Sequence, residues 1–202
     1  ITGKGNTLKT NGQVIIENWT YRQGNVSLYE LYCLGSIAKS LNPEIIFEIG
    51  TFDGRTTLHF ALNTGNQTKI HTLDLPPEEL ENVKLKLDAG DPQLVDKKGF
   101  RIGECFLERK ESEKVTQHLS DSAKFDYTPF YGKTDVFFVD GAHSYEYVKA
   151  DTESALKTIK PNGLILWHDY TNVIDVTEYL NLLSVTKPVY RINHTSIAVY
   201  SP

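Results

Sequence analysis

Two rhythms of apolar residues run along this chain. Short β-branched and aromatic runs, each stopping on an acid or a turn, alternate with longer stretches whose apolar residues recur every third or fourth position, the periods of buried strands and amphipathic helices. Ser27, followed three positions later by Glu30, opens the first helical pattern, with Leu28, Leu31, Leu34 and Ile37 as its stripe and Asn42-Pro43 as its end. Ile45 to Ile49 is a strand, Gly50 to Gly54 a glycine-punctuated turn, Thr56 to Asn63 a helix, and Lys69 to Leu75 a second strand closed by Pro76-Pro77. Strand, helix and strand at this spacing predict a right-handed βαβ unit.

The same punctuation continues. Val115 to Leu119, Asp135 to Asp140 and Leu164 to Asp169 read as strands, and Tyr145 to Ile159 as a helix that stops before Pro161-Asn162-Gly163. Val173 to Leu183 is a last helix, and Val189 to Ile192 with Ser196 to Tyr200 a closing antiparallel pair. The charged stretch from Glu78 to Glu113 is the least regular; Leu80, Val83, Leu85 and Leu87 suggest a helix that Gly90-Asp91-Pro92 ends. Residues 1–24 are polar and rich in Gly and Asn, an irregular arm ordered by Trp19 and Tyr21. The alternation predicts an α/β doubly wound sheet in one domain spanning residues 1–202, with 1–26 as an N-terminal arm and 78–113 as a variable insert.

Composition narrows the partners. A chain of 202 residues with 40% hydrophobic content can bury one sizeable core, and a net charge of -5 with scattered Lys and Arg offers no footprint for nucleic acid. Cys33 and Cys105 are too few for a disulfide framework, and no apolar run is long enough to span a bilayer, so a cytoplasmic protein with a small-molecule partner and no membrane partner is expected, with room for a homodimer. The first residue is not Met, as in a processed or shortened chain, and the sequons at Asn18, Asn25 and Asn66 read as chance matches in an Asn-rich chain.

The chemistry gathers at strand ends. Open α/β sheets bind ligands beyond the carboxyl ends of their strands, and here those ends carry Glu48, Asp74, Asp121, Asp140, His168 and Asp169. A lone acid after a strand is ordinarily a turn or cap residue; six polar groups recurring at five ends point to a site. Asp74 is placed to accept hydrogen bonds from ribose hydroxyls, a geometry shared by nicotinamide, flavin and S-adenosyl-L-methionine (SAM) sites. Gly50-Thr51-Phe52-Asp53-Gly54 lacks the G-x-G-x-x-G spacing that pyrophosphate requires, and the Asp53 carboxylate would repel it, whereas a cofactor bearing an ammonium and a sulfonium would tolerate the acid.

With these residues in view, the chain resembles the class I SAM-dependent methyltransferases, above all bacterial small-molecule enzymes with motifs like Glu48 to Thr57, Thr72 to Pro77, Asp121 to Asp126, Val139 to Tyr145 and Trp167 to Tyr170. The resemblance covers Ser27 to Tyr200. It implies a Rossmann-like sheet of seven strands in the order 3-2-1-4-5-7-6, the last strand antiparallel. It further implies that Glu48, Gly50, Thr51, Phe52, Asp53, Gly54 and Thr56 hold the methionine part of SAM, Asp74 the ribose, and Asp121 with Ser122 the adenine edge, with Asp140 beside the cofactor.

The last two motifs are similar to those of catechol O-methyltransferase and its metal-dependent relatives. By that likeness Asp140, His168 and Asp169 fall on the metal positions and His143 on that of the catalytic lysine, making His143 and Asp140 the catalytic candidates. His168 in place of a carboxylate would suit Mn²⁺, Fe²⁺ or Zn²⁺ as well as Mg²⁺, or no metal. A histidine whose ordinary pKa is about 6.5 suits proton abstraction near neutrality.

Each residue also has a plain structural role to weigh: Asp140 as a turn cap before Gly141, His143 as a helix-start residue, and His168-Asp169 as a buried polar pair. His59, His71, His118 and His194 are expected to be structural or exposed, and Trp167 to pack. The reading is O-methylation of a hydroxyl on a sugar or secondary metabolite; a non-catalytic SAM-binding or assembly domain is its alternative. An iron oxygenase on Asp140, His168 and Asp169 would have its carboxylate and imidazole numbers reversed.

Overall fold

The computed structural model describes residues 13–17, 22–96 and 100–202; Trp19 and Tyr21 lie outside them. Helix α1 (Leu28–Leu41) begins with the capping box read from Ser27 and Glu30 and ends on Asn42 in the left-handed region. Its buried stripe is Leu31, Leu34, Ile37 and Ala38, whereas Leu28 is 43% exposed: the first turn overhangs the sheet.

Strand β1 (Ile45–Ile49) and β2 (Lys69–Asp74) flank α2 (Arg55–Leu62) as the predicted βαβ unit, and their residues pair in parallel from Ile45 with Lys69 to Ile49 with Leu73. A 3₁₀ turn over Pro77–Asn82 follows, then α3 (Asp91–Asp96), α4 (Glu104–Leu107) and a second 3₁₀ turn over Lys110–Lys114. The helix expected around Leu80 to Leu87 is absent, and Asp91-Pro92 starts a helix instead of ending one. Proline has no N–H to lose in a first turn, so the same dipeptide serves either end.

Strands β3 (Val115–Leu119), β4 (Thr134–Val139), β5 (Ile159–Trp167), β6 (Tyr190–Arg191) and β7 (Ala198–Tyr200), with α5 (Tyr145–Thr158) and α6 (Ile174–Ser184), complete a seven-stranded sheet of order β3-β2-β1-β4-β5-β7-β6. β7 runs antiparallel to both neighbours, as the terminal pair predicts. The expected turn at Pro161-Asn162-Gly163 is a bulge inside β5, since Thr134 pairs with Ile159 but Val136 with Leu164. A bulge tolerates the proline, and a side chain at Gly163 would lie 2.9 Å from the Asp135 carbonyl.

Strand periodicity sends alternate residues to two cores. Phe47, Ile49, Phe137, Ile165 and Trp167 pack beneath α5 and α6, and Ile46, Val136, Phe138 and Leu166 beneath α1 and α2. Among the described residues no helix is long and apolar enough to cross a membrane. Both cysteines are free.

Candidate active site

The carboxyl ends of β1 to β4 open into one cleft. Its walls include Gly50, Thr51, Phe52 and Thr56 from the first turn, Asp74 from β2, Asp121 and Ser122 after β3, and Asp140 and His143 after β4. Of the residues predicted to hold a cofactor, these line the cleft together, whereas Glu48, Asp53 and Gly54 do not.

Glu48 departs from expectation because strand alternation turns it to the α2 face. It is fully buried, accepts from Thr57 Oγ1 and from Thr72 Oγ1 (2.6 Å), and leaves Oε1 unpaired. Burial pushes its pKa up to about 8, so near neutrality it is a protonated brace under the turn. Thr72 Oγ1 also meets Thr51 Oγ1 at 2.6 Å, linking brace to cleft wall.

Asp53 points into protein as well: it meets Arg22 Nη1 (3.0 Å), Asn25 Nδ2 (2.9 Å) and Arg55 Nη2 (3.4 Å). It anchors the chain preceding α1, so that Gly24 and Asn25 join the cleft wall. Arg22 also reaches Glu104 and lies over Phe100, whose ring packs edge-on to Phe52.

The turn depends on close backbone approach. Gly50 has φ +97°, and a Cβ there would sit 1.9 Å from the Asp140 carbonyl oxygen. Phe52 also has positive φ, 51°, and its N–H donates to Asp74 Oδ2 at 2.5 Å, so the proposed ribose acid also fixes the turn. Non-glycine residues in this region carry roughly 1–3 kcal/mol of strain and collect at functional sites; Asp169 (φ 59°) is another.

At the adenine end predicted from the sequence, the Asp121 carboxylate accepts from Lys84 N–H (2.7 Å), Ala123 N–H (2.9 Å) and the Tyr147 hydroxyl (3.0 Å). Its oxygens hold the irregular segment and Tyr147 against the cleft. Tyr147 also lines the cleft, and nothing in the sequence sets it apart from the rest of the helix predicted from Tyr145 to Ile159.

The other end of the cleft is ionic. Asp140, His168 and Asp169 come together as predicted: His168 Nδ1 lies 3.0 Å from Asp140 Oδ1 and 3.1 Å from Asp169 Oδ2. His143 Nε2 meets Asp169 Oδ2 at 3.1 Å, and its Nδ1 meets Asp91 Oδ1 at 2.5 Å. Asp91, from α3, also accepts the His143 N–H, and Glu30, from α1, lies 3.4 Å from His168 Nε2. Neither Asp91 nor Glu30 stands out in the sequence as a site residue: Asp91 sits in a helix-stop motif and Glu30 in a capping box.

Burial disfavours charge on His143, but hydrogen bonds to Asp169 and Asp91 outweigh it and raise the pKa to about 10. In this arrangement both ring nitrogens are engaged by carboxylates. His168, likewise opposed by burial and favoured by Asp140, is raised well above its ordinary value. Burial also opposes ionisation of Asp169, yet the two histidines hold it below the usual carboxylate range, whereas burial raises Asp140. The remaining histidines are structural or exposed, as predicted: His59 bonds the Arg55 carbonyl, His71 pairs with His118, and His194 sits in an exposed turn. Trp167 packs, its Nε1 donating to Thr152.

The cluster fits a divalent cation. One ligand atom from each of Asp140, His168 and Asp169 can be chosen so that all lie within 4.8 Å of one another. The nitrogen and oxygen donors are of the mixed kind that borderline first-row ions take. Four carboxylates face two imidazoles, leaving negative charge for a cation to offset once all are ionised.

Fold and site define an α/β protein with a cleft at its strand ends and an ionic cluster beside it. Residues 47–170 match the model of a family described as Methyltransferase domain, and the chain belongs to that family. No curated protein matches it in sequence. Among solved structures, it is similar to the O-methyltransferase TomG of Streptomyces achromogenes in complex with SAM: 16% identity, 88% of this chain and 82% of that one covered, TM-score 0.58. It is similar to an O-methyltransferase of Bacillus cereus in complex with SAH (16%; 90% and 84%; 0.58) and to an SAH-bound methyltransferase of Podospora anserina (15%; 88% and 80%; 0.61).

Proposed function

We propose that the protein transfers the methyl group of SAM to a hydroxyl of a small molecule. The observation that carries this reading is the convergence of Gly50 to Phe52, Asp74, Asp121-Ser122 and Asp140 on one cleft. SAM and SAH in the complexes of similar fold, and the O-methyltransferase descriptions of two of those proteins, support it.

Asp74 would hold the ribose hydroxyls, Ser122 and Tyr147 the adenine, and the turn from Gly50 to Phe52 with Asn25 the amino-acid end. Asp140 lies at the junction of cleft and ionic cluster, and its raised pKa makes it a better proton acceptor than an ordinary aspartate. We assign it the acceptor proton. SAM, when bound, would supply an electrophilic methyl on a sulfonium, and the cleft would serve to align the acceptor oxygen with that carbon as Asp140 takes the proton.

His143 holds the site shut by charge, joining Asp91 to Asp169. Asp140, His168 and Asp169 would hold a divalent ion, which would polarise the acceptor oxygen when bound. Calorimetric titration with SAM and SAH tests the reading, and no binding of either at millimolar concentration ends it. Methyl transfer surviving EDTA and His168→Ala would remove the metal from it.

A further inference from the structure

Glu30 carries more than a helix cap requires. A capping glutamate needs to accept only its own N-cap N–H, here from Ser27 at 2.8 Å, and normally works in water. Glu30 is 6% exposed. Its Oε1 also accepts from Ser196 N–H (2.7 Å) and Ser196 Oγ (2.6 Å), while Oε2 faces His168 Nε2 at 3.4 Å. One carboxylate therefore joins the start of α1, the segment entering β7 and the residue after β5, over sequence separations of 138 and 166 residues.

This matters for the ring of His168. Its backbone is fixed by the N–H bond to the Val139 carbonyl (3.0 Å), which leaves the ring plane to be set by side-chain partners. Turning the ring over would exchange Nδ1 for a carbon against Asp140 and Asp169, and Nε2 for a carbon against Glu30. With Glu30 in place, a flip breaks polar contacts at both edges of the ring. Ser196 fixes Glu30 in turn, so the orientation is imposed from outside the cluster.

We propose that Glu30 is a positioning residue: held by Ser27 and Ser196, its carboxylate sets the ring of His168 so that Nδ1 is presented to Asp140 and Asp169. Outer partners of this kind typically contribute 10–100-fold to activity or metal affinity. The inference rests on the methyl-transfer reading only in naming the reaction that suffers.

The test is long-range ¹H–¹⁵N spectroscopy of the whole chain, labelled at histidine and saturated with SAH, together with steady-state kinetics. In the wild type, the His168 Nε2 proton exchanges with solvent at least tenfold more slowly than those of exposed His194. Glu30→Gln, which offers an amide where Glu30 accepts from several donors, abolishes that protection, shifts the His168 ring resonances and lowers kcat about 10–100-fold. SAM affinity stays within twofold, since Glu30 does not line the cleft. Ser27→Ala removes the cap hydroxyl but keeps the Glu30 carboxylate and leaves the His168 signals in place.

His168 resonances in Glu30→Gln that overlay the wild type, or an unchanged kcat, would overturn the proposal. Should that variant not fold, an unprotected His168 Nε2 proton in the wild type overturns it alone. Failure of the wild type to bind SAM sinks the methyl-transfer reading, while the His168 spectra in the absence of SAH still judge Glu30.

Discussion

The two ends of the cleft are held by different physics. At the β1–β2 end the turn from Gly50 to Gly54 is fixed by backbone conformation and close approach, with the neutral Glu48 and two threonine hydroxyls beneath it. At the β4–β5 end the run Asp91–His143–Asp169–His168–Asp140 is fixed by charge, and one of its members, Asp91, comes from within the molecule's least regular segment. A surface for an invariant part of a ligand can be built from backbone. A surface where protons and charge move needs side chains that titrate, at the cost of sensitivity to conditions.

The difference can be broken from the largest effect downward. Gly50→Ala places a methyl 1.9 Å from the Asp140 carbonyl in a left-handed conformation; a loss above about 4 kcal/mol, or failure to fold, is expected, read by urea unfolding. Asp91→Asn leaves the buried His143 charge short of a partner and should lower stability by about 3 kcal/mol. A loss under about 0.5 kcal/mol would mean the ionic end carries no structural weight.

pH separates the ends. His143 titrates near 6.5 when unfolded and about 10 when folded, so its stabilisation is fully present below pH 6.5 and is lost as pH rises toward 10. Urea midpoints should fall over that window in the wild type and fall less in His143→Gln. On the acid side, burial lowers His71 to about 4, so its contribution is present above 6.5 and lost as pH falls toward 4. His71→Phe should flatten that limb by about 1 kcal/mol after allowance for partial solvent access. The smallest effect is Thr51→Val, which removes one buried hydroxyl contact and should cost about 1 kcal/mol with no change in pH dependence.

What was legible in the sequence follows the same division. The strand order, the first turn and the meeting of Asp140, His168 and Asp169 could be read because period-2 burial and strand-end position are local properties. Glu48 and Asp53 were placed on the cofactor by motif, but their side chains point away from the cleft: alternation turns Glu48 beneath α2, and two arginines claim Asp53. Asp91 and Glu30 could not be found, because each acts across a gap in sequence (52 residues to His143, 138 to His168) while carrying a local signal that already explained it. The two carboxylates on the His143 ring were equally hidden, since Asp91 and Asp169 lie 52 and 26 residues from it.

The strand ends also form a mechanical unit. Gly50 N–H bonds the Leu73 carbonyl, Asp140 N–H the Ile49 carbonyl and His168 N–H the Val139 carbonyl, at 2.8, 2.9 and 3.0 Å. These bonds stitch the mouths of four neighbouring strands into one rail, with no slack at Gly50. An engineer reshaping the cleft therefore cannot shift the backbone from Asp140 to His143 without disturbing the turn at Gly50. The freedom lies off the rail, in the segment from Tyr170 to the start of α6, where Ile174 is 81% exposed and can be exchanged at little cost to the rest.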